Sequence, residues 1–513
     1  MSVAEKRTDH LIGETVNSEQ FIKAVRSYAF SPYGVEAFRR LALELAFKGK
    51  LTDESSVPFS EWRVRAVKDI ATTMHPGSAC GKQHQVPNGH VHLRTHNVST
   101  NGSLNFDLLI RVDPNKIDPK KAKLRRGDII FNNTNSQELV GKTCLVDRDY
   151  DYAFSNHLTL IRLKDDVDAG FFVRYFGLLL TNGYFFDLCN RWIGQAGIST
   201  KALKLIEVPL PPLAEQRRIV AKVDRLTELC DRLESERAEV LSLTDRSRRS
   251  VLSSPTRSRD ASELSSAWRR LSDHFEILHD RPETLTDLRQ TILQLAVQGK
   301  LVKQDPEHCE RTTKTIEDVV GRRNLKNGLS LKQTSDPTDY LGLRLSAMRG
   351  GEIDCSDGKP IAIGAERAEP YLIQRGDVFI MRGNGSTDLV GRAGIVREQP
   401  DKVIFPDLFI RCPLDPNVFD SEYFLIAWNS PSAREMILER ARTTSGIWKV
   451  NQGHIASMSF EIPPIAEQIR IVARVDRLLS QCDHVAEQLR QQQATTEKLL
   501  TAAIDRILEH DNQ

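Results

Sequence analysis

The feature of this sequence that most constrains its fold is an internal repeat. Residues 211–226, PPLAEQRRIVAKVDRL, reappear at 463–478 as PPIAEQIRIVARVDRL, 252 residues later. Residues 38–51, FRRLALELAFKGKL, match 288–301, LRQTILQLAVQGKL, at an offset of 250 residues. Two matches at nearly the same offset indicate that one module occurs twice in the chain, so we expect a duplicated architecture.

The segment after each Pro-Pro pair is predicted to be a long helix. Pro211 and Pro212 suit the first helical turn, and the Glu215 carboxylate faces the positive end of the helix dipole. Apolar residues then recur at alternating steps of four and three, interrupted in the first copy only by Arg237, which is typical of a coiled-coil seam. The seam residues are Ile219, Val223, Leu226, Cys230, Leu233 and Val240 in the first copy, and Ile471, Val475, Leu478, Cys482, Val485 and Leu489 in the second.

Each long helix has a predicted partner helix with similar spacing, and the partners end at the C-cap glycines Gly49 and Gly299. One such pair alone fits an ordinary helical hairpin inside a globular core. Two copies that flank two divergent segments favour a spacer between domains. The apolar residues of the partner helices are Val35, Phe38, Ala42 and Leu45, and correspondingly Leu285, Leu288, Ile292 and Leu295.

The order of the modules is circularly shifted. The chain begins with the second helix of a module and ends with the first helix of one, so we expect its termini to meet and complete a helix pair, with pseudo-twofold symmetry. The predicted domains are an N-terminal helical segment at 1–52, a first α/β domain at 53–208, a central helical spacer at 209–303, a second α/β domain at 304–461 and a C-terminal spacer helix at 462–513.

The two segments between the helical repeats are predicted to be compact α/β domains. Short β-rich runs such as 128–131 and 158–161 are mixed with short helical stretches such as 171–180 and 422–428. The predicted fold class is therefore mixed α+β, with two α/β domains separated by antiparallel coiled-coil helices. Residues 246–259 contain Ser, Pro and Arg without periodicity and are predicted to form a mobile loop between the central helices.

Composition limits the functions that are open to the chain. A formal net charge of +2 over 513 residues excludes a uniformly basic nucleic-acid coat, so any DNA contact must come from local basic patches. The polar N-terminus and the lack of an apolar run of ~20 residues predict a soluble cytoplasmic protein. The eight cysteines form no C-x-x-C pair, which predicts reduced thiols and no structural metal.

The paired Pro-Pro-x-Ala-Glu-Gln signatures, together with Ala-x-x-Gly-Lys-Leu at the ends of the partner helices, closely resemble the specificity subunits of type I restriction–modification systems. The resemblance covers almost the whole chain. It implies two target-recognition domains, each reading one half of a split double-stranded DNA site. It also implies that the helices form a spacer and a dock for two methylation subunits, to which restriction subunits attach. The implied docking and spacer residues are Pro211, Pro212, Glu215, Gln216, Ile219, Val223, Leu226, Pro463, Pro464, Glu467, Gln468, Ile471, Val475 and Leu478.

The polar loops at 131–143 and 379–392 resemble a loop of such recognition domains, and a second candidate surface, at 197–201 and 446–451, precedes each Pro-Pro pair. Their amide, hydroxyl and cationic groups can contact base edges or phosphates, and Trp448 could stack on a base or simply pack. Polar turns with structural glycines at 141 and 391 are the alternative. The DNA-binding candidates are Asn133, Thr134, Asn135, Lys142, Thr200, Lys201, Arg382, Asn384, Ser386, Arg392, Trp448 and Lys449.

A third matching segment, FSNHL at 154–158, is replaced by FPDL at 405–408 in the second copy. For His157, a DNA contact and a loop-bracing role are therefore both open.

Catalytic motifs are missing from the sequence. An adenine methyltransferase needs an Asn-Pro-Pro-aromatic motif for the flipped base and a glycine-rich turn for its cofactor, and neither is present. Residues 136–143, SQELVGKT, come near a phosphate-binding loop but have Ser in place of the first Gly. We therefore expect a non-catalytic chain without a cofactor, with S-adenosylmethionine on the methylation subunit and ATP and Mg on the restriction subunit. A fused restriction–methylation enzyme and a scaffold that does not bind DNA are the rival interpretations.

Overall fold

The structure is a computed structural model that describes residues 34–51, 58–119, 122–303, 310–330, 338–444 and 446–509. It divides into two compact units, one formed by Met1–Val240 with Ala494–Gln513 and the other by Leu241–Gln493. Residues 1–33 of the predicted N-terminal segment lie outside the described residues. The five predicted domain boundaries stay a prediction.

The first unit contains strands that pair in the orders β2-β9-β5-β7, β4-β3-β8, β10-β11-β6 and β1-β12. The strands are β1 (Arg63–Ala66), β2 (Ala71–Pro76), β3 (Gln85–Leu93), β4 (Arg111–Val112), β5 (Ile129–Asn132), β6 (Thr134–Asn135), β7 (Thr143–Leu145), β8 (Ala153–Phe154), β9 (Leu158–Leu163), β10 (Asn190–Trp192), β11 (Gln195–Gly197) and β12 (Glu207–Leu210). The helices are α1 (Gly34–Phe47), α2 (Val67–Ile70), α3 (Ala169–Thr181), α4 (Tyr184–Leu188), α5 (Thr200–Leu205) and the first part of α6 (Leu213–Arg257).

The second unit contains strands that pair in the orders β14-β23-β19-β21-β17-β16, β18-β15-β22, β24-β25-β20 and β13-β26. The strands are β13 (Thr312–Thr315), β14 (Lys326–Asn327), β15 (Tyr340–Leu343), β16 (Met348–Arg349), β17 (Glu352–Ile353), β18 (Gly358–Ile361), β19 (Val378–Met381), β20 (Gly383–Asn384), β21 (Ala393–Ile395), β22 (Val403–Ile404), β23 (Phe409–Arg411), β24 (Arg442–Thr444), β25 (Ile447–Lys449) and β26 (Ser459–Ile462). The helices are α7 (Ala261–Asp273), α8 (Phe275–Leu278), α9 (Leu285–Val297), α10 (Ile316–Val320), α11 (Ala365–Ala368), α12 (Ser421–Trp428), α13 (Pro431–Arg440), α14 (Gln452–Ala456) and α15 (Ile465–Glu509).

The two units repeat the same core element, a fully buried strand between two antiparallel neighbours. Strand β5 lies between β9 and β7, and β19 lies between β23 and β21. All four residues of each central strand are buried, which explains the apolar runs at 129–131 and 378–381; the fourth residue of β5 is the polar Asn132. The strands predicted at 128–131 and 158–161 and the helices predicted at 171–180 and 422–428 are confirmed.

The long helices α6 and α15 each contain 45 residues, and each contributes to both units. In the first unit the Arg39 Nη2 atom on α1 lies 2.6 Å from Asp231 Oδ1 on α6. In the second unit the Arg289 Nη2 atom on α9 lies 2.6 Å from Asp483 Oδ1 on α15. The same cross-helix ion pair therefore recurs in both copies of the repeat.

The circularly shifted order is visible in the first core. Leu500 and Ile504, near the end of α15, are buried there together with Val35 and Phe38 of α1. The end of the chain thus packs in the unit that holds its first described helix. Both C-cap glycines, Gly49 and Gly299, have φ of 69°, which is the left-handed conformation expected of a glycine that ends a helix.

The predicted coiled-coil seam is wrong at Val240, which is 49% exposed, whereas the other five residues of the first copy are buried. Val240 is the last residue of its unit, so the core that covers the preceding turns does not extend over it. In the second copy, Leu478, Val485 and Leu489 are half-buried and pack against the core.

The loop predicted at 246–259 is also wrong, because α6 continues through these residues to Arg257. Leu252 is buried in the core of the second unit, and the Lys300 Nζ atom donates to the carbonyl oxygen of Thr256 at 2.7 Å. That bond satisfies an acceptor which the helix end leaves open. Tertiary contacts therefore stabilise a helix that has no apolar periodicity of its own.

Among the described residues, no helix is both long enough and apolar enough to cross a membrane.

Candidate nucleic-acid interface

In the first unit, three polar segments meet beyond the end of β5. The Asn133 N–H donates to the carbonyl oxygen of His157 at 3.0 Å, and the Asn133 carbonyl accepts the Ile198 N–H at 2.9 Å. Strand β6 pairs with β11, with Thr134 opposite Gly197. The polar loop, the turn at His157 and the segment before the Pro-Pro pair were separate candidates in the sequence, and here they form one surface.

The second unit repeats this arrangement. The Arg382 N–H donates to the carbonyl oxygen of Leu408 at 2.7 Å, and the Arg382 carbonyl accepts the Val450 N–H at 2.9 Å. Strand β20 pairs with β25, with Asn384 opposite Trp448. We call the β10-β11-β6 sheet and the β24-β25-β20 sheet, with these adjoining turns, the two polar sheets.

The candidate side chains differ in exposure. Lys201, at the start of α5, and Lys449, on β25, are exposed. The second polar sheet therefore carries an exposed cation, and the first has one on the helix that follows β11, where a phosphate could reach them. The half-buried candidates are Asn133, Thr134, Asn135, Thr200, Arg382, Asn384, Ser386, Arg392 and Trp448.

Several half-buried candidates also brace their own loops. The Asn135 Oδ1 atom accepts the Ser136 N–H at 2.9 Å, and the Asn384 Oδ1 atom accepts the Ser386 N–H at the same distance. The Arg382 Nη1 atom donates to the carbonyl oxygen of Asp407 at 3.3 Å. Such bonds fix the loop conformation, and the Asn384 Nδ2 atom also donates to Met381 Sδ at 3.3 Å.

The Lys142 side chain, a predicted DNA contact, is only 7% exposed, and its DNA role stays a prediction. Its Nζ atom donates to the carbonyl oxygen of Thr95 at 3.1 Å, and burial lowers the pKa of the ammonium group. At the equivalent position the Arg392 Nε atom donates to the carbonyl oxygen of Asp388 at 2.9 Å, and burial lowers the pKa of the guanidinium group. Both cations hold backbone carbonyls of their own unit.

Two glycines of the loops are required by the structure. Gly141 has φ of 94°, and a Cβ atom there would lie 2.3 Å from the Phe185 ring. Gly391 has φ of 69°, and a Cβ atom there would lie 2.5 Å from Ile437 Cγ2. The structural role that the sequence offered as the alternative for these glycines is therefore present.

Sequence reasoning missed one part of the surface, the hairpin formed by β10 and β11. Trp192 is 61% exposed and Ile193 is fully exposed at its turn, beside the exposed Arg191. Gly194 in this hairpin and Gly446 in the β24–β25 hairpin both have φ of 78°. They lie 252 residues apart, the offset of the Pro-Pro signatures, and this shared glycine was the signal that could have revealed the hairpins.

The predicted docking residues lie mostly inside the units. Glu215 and Gln216 are each 1% exposed, and the Gln216 side chain bonds to backbone atoms of its own unit. The buried docking candidates are Pro211, Glu215, Gln216, Ile219, Val223, Leu226, Pro463, Glu467, Gln468, Ile471 and Val475, while Pro464 and Leu478 are half-buried and Pro212 is exposed. The contacts of the buried residues are within this chain, and a docking role for them stays a prediction.

Within the part of the chain that the structure describes, no group of three or more His, Cys, Asp or Glu residues is placed to hold a metal ion.

Known proteins share both the sequence pattern and the fold. The family described as "Type I restriction modification DNA specificity domain" matches residues 60–243. The chain is 26% identical over 402 residues to the EcoKI specificity subunit of Escherichia coli strain K12, covering 77% of each protein. It is 24% identical over an aligned length of 567 residues to the EcoEI specificity subunit of Escherichia coli, covering 93% of this chain and 94% of that protein. This chain belongs to the specificity subunits of type I restriction–modification systems.

The fold of this specificity subunit has a solved counterpart. A chain from a structure of the assembly and conformational transition of the type I R-M system superposes with a TM-score of 0.51 at 16% identity, covering 88% of the specificity subunit and 98% of that chain. At this identity the likeness concerns the fold alone.

Proposed function

We propose that this specificity subunit recognises a split double-stranded DNA target, with one polar sheet contacting each half. The observation that carries the proposal is the repetition of the same three-segment surface in both units. Thr134 and Asn135 occupy it in the first unit and Gly383 and Asn384 in the second. The same backbone arrangement with different side chains is what two domains need in order to recognise two different DNA half-sites.

The chemistry of the polar sheets fits base edges and phosphates. Amide and hydroxyl groups can both donate to and accept from base edges in the major groove, while Lys201 and Lys449 supply charge for the backbone. Trp192 and Ile193, at the tip of the first hairpin, add apolar surface that suits a thymine methyl group or an unstacked base step. The hairpin tips complete the proposed contact surface.

Catalysis is assigned to other chains. We propose that two methylation subunits carry S-adenosylmethionine and methylate adenine N6, and that restriction subunits carry ATP and Mg. The role of the specificity subunit is then positional, because it sets the sequence at which those subunits act.

The proposal is tested by mapping N6-methyladenine across a genome in cells that express the methylation subunit encoded beside this chain, with and without the chain. Methylation of a split motif only when the chain is present is the expected result. A second experiment uses a chimaera. In it, residues 63–210, the segment bounded by the antiparallel pair β1 and β12, are replaced by the corresponding segment of another specificity subunit.

The chimaera should change one half of the methylated motif and leave the other half as it was. An active methylation subunit that gives the same map with and without the chain would overturn the proposal. A change in both halves would show that the two units do not read DNA separately.

A further inference from the structure

A groove in the second unit runs between the last turns of α6 and the helix α7. It has a volume of about 800 Å³, and its lining consists of six serines, three arginines and one glutamate. The other sides of the two helices are buried, because Leu252 of α6 and Leu271 of α7 lie in the core of this unit. The groove therefore opens away from the core, and we call it the Ser/Arg groove.

The Ser/Arg groove carries an excess of positive charge. Its three guanidinium groups belong to Arg257, Arg269 and Arg270, and among the described residues that line it Glu263 supplies the one carboxylate. Within the described part of the chain, neither Arg257 nor Arg269 has an ion-pair partner. The Glu263 Oε2 atom accepts the backbone N–H of Arg259 at 2.8 Å. The groove thus keeps positive charge that its own residues do not neutralise.

Serine hydroxyl groups lie beside these cations. The Arg270 Nη2 atom donates to Ser254 Oγ at 2.8 Å, a bond that joins α7 to α6. Ser262 and Ser266 are exposed and lie one turn apart on α7. Asp260 caps α7, because its Oδ1 atom accepts the Ser262 N–H at 2.8 Å. Side chains, and not the free end of a helix, therefore form the groove.

The repeat shows that packing does not require this lining. At the repeat offset Leu252 corresponds to Ile504 near the end of α15, and both residues are buried. Arg257 corresponds to Glu509, so a cation of the groove is an acid in the other long helix. The buried position keeps its character in both helices, whereas the groove position does not. The arginines and serines therefore answer a need other than the stability of the helix.

We infer that the Ser/Arg groove binds phosphates of the DNA backbone without regard to sequence, at a site separate from the polar sheets. Arginine guanidinium groups and serine hydroxyl groups are common phosphate contacts in protein–DNA complexes. No apolar or aromatic side chain is found among the described residues that line the groove. It therefore lacks both the apolar centre of a protein interface and a surface on which a base could stack.

The length of the groove suits a run of phosphates. Residues 250–257 of α6 extend about 10 Å along the helix axis. One DNA strand carries a phosphate about every 3.4 Å of duplex axis, so about three successive phosphates match this length. The inference rests on the proposed function, to which it adds a contact that holds any duplex while the polar sheets select the sequence.

The inference is tested by fluorescence anisotropy at four salt concentrations, with the full chain bound to its methylation subunit. Two labelled duplexes are compared, the methylated target and a scrambled sequence of the same length. One variant is Arg269→Ala. The other combines Ser253→Asp with Arg257→Glu, which gives α6 the residues that α15 has at the matching positions and so preserves helix formation. The control is Arg490→Glu, at an exposed position of α15 outside the groove.

Arg269→Ala should reduce the slope of log affinity against log salt concentration by about one on both duplexes. The double variant should reduce the slope at least as much and weaken binding to both duplexes at least about tenfold. The ratio of the two affinities should keep its wild-type value, because the groove does not contact bases. Arg490→Glu should leave both slopes unchanged.

Wild-type slopes in both groove variants would overturn the inference and leave the proposed function intact. A loss confined to the target duplex would do the same, since it would mean that the groove reads bases. Calorimetry with sodium tripolyphosphate covers the remaining source of phosphate. If the double variant loses tripolyphosphate binding and keeps its DNA affinity, the groove holds a free polyphosphate and the inference is wrong. A wild-type complex that binds the target no better than the scrambled duplex would instead contradict the proposed function.

Discussion

The Oε1 atom of Gln216 accepts the backbone N–H of Asp168 at 2.8 Å, although the two residues are 48 positions apart. Asp168 is the N-cap of α3, and its carboxylate accepts the Phe171 N–H at 2.9 Å. The Gln216 Nε2 atom donates to the carbonyl oxygen of Pro211 at 2.8 Å. The glutamine of the signature therefore fixes the start of α6 to the start of α3. Gln468 makes the same bond to Asp420 at 2.8 Å in the second unit.

Replacing this glutamine should loosen one unit only. Gln216→Ala removes buried hydrogen bonds and leaves backbone groups without partners, so we expect a loss of about 2–4 kcal/mol in the free energy of unfolding of the first unit. Hydrogen exchange measured by mass spectrometry should show faster exchange in peptides covering 166–172. The exchange rate of peptides covering 418–424 should stay at its wild-type value. As a control, Gln481→Ala at an exposed position should change the exchange rate of neither peptide set. Equal loosening of both units would contradict this role.

A buried amide in the first unit predicts a stabilising substitution. Asn132 is fully buried, and neither its Nδ2 nor its Oδ1 atom has a partner among the described residues. The last residue of the equivalent strand is Met381, which is 1% exposed. Because an unsatisfied buried polar group costs about 1–3 kcal/mol, Asn132→Met should raise the free energy of unfolding by a similar amount in urea titrations. Met381→Asn should lower it, and a lower stability of Asn132→Met would show that the amide has a role that a methionine cannot replace.

The sequence predicted the individual helices and strands of this fold better than the contacts between them. Apolar runs revealed β5 and the helix α12, because burial in a sheet or beneath a helix leaves a regular pattern. The pairing of Thr134 with Gly197 was not visible, since a strand of two residues has no periodicity and its partner lies about sixty residues away. The burial of Lys142 was equally hidden, because a cation in a polar loop has the same sequence pattern whether it faces solvent or a backbone carbonyl.

The contrast between two lysines can be measured through salt dependence. Lys201 is exposed and Lys142 is buried against the carbonyl oxygen of Thr95. If Lys201 contacts a phosphate, Lys201→Ala should weaken binding to every duplex and reduce the slope of log affinity against log salt concentration by about one. Lys142→Met should leave that slope unchanged and lower stability instead. Fluorescence anisotropy at four salt concentrations measures both slopes, and the reverse pattern would mean that Lys142 reaches the phosphate.

The tip of the β10–β11 hairpin should affect one half-site. Trp192 and Ile193 correspond to Thr444 and Ser445 at the repeat offset, so the double substitution Trp192→Thr with Ile193→Ser gives the first hairpin the residues that the second copy has at the matching sequence positions. Removing an exposed aromatic anchor should reduce affinity for the intact target at least about tenfold. Targets altered in the second half should still be rejected as strongly as by the wild type. The control Leu243→Ala removes an apolar residue of α6 that is 49% exposed, and it should leave DNA affinity unchanged.

The buried histidine of the second unit predicts a stability that falls in mild acid. Burial, reinforced by the positive charge of Arg248, lowers the pKa of His279 from 6.5 to about 4. Well above pH 6.5 the imidazole is neutral in both the folded and the unfolded chain, so it adds no pH dependence to the free energy of unfolding. Between that pH and about 4 the unfolded chain binds a proton that the folded chain does not. The free energy of unfolding therefore falls with decreasing pH, by at most about 1.4 kcal/mol per pH unit from this residue.

Urea titrations at pH 7.5, 6.5 and 5.5 test this dependence on His279→Gln. The variant loses the proton uptake of the unfolded state, so its midpoint should decline less than that of the wild type between pH 6.5 and 5.5. His274→Gln changes an exposed histidine five residues earlier and should follow the wild type. Parallel curves for His279→Gln and the wild type would contradict the prediction, because they would mean that the folded protein accepts a proton at His279 as readily as the unfolded chain.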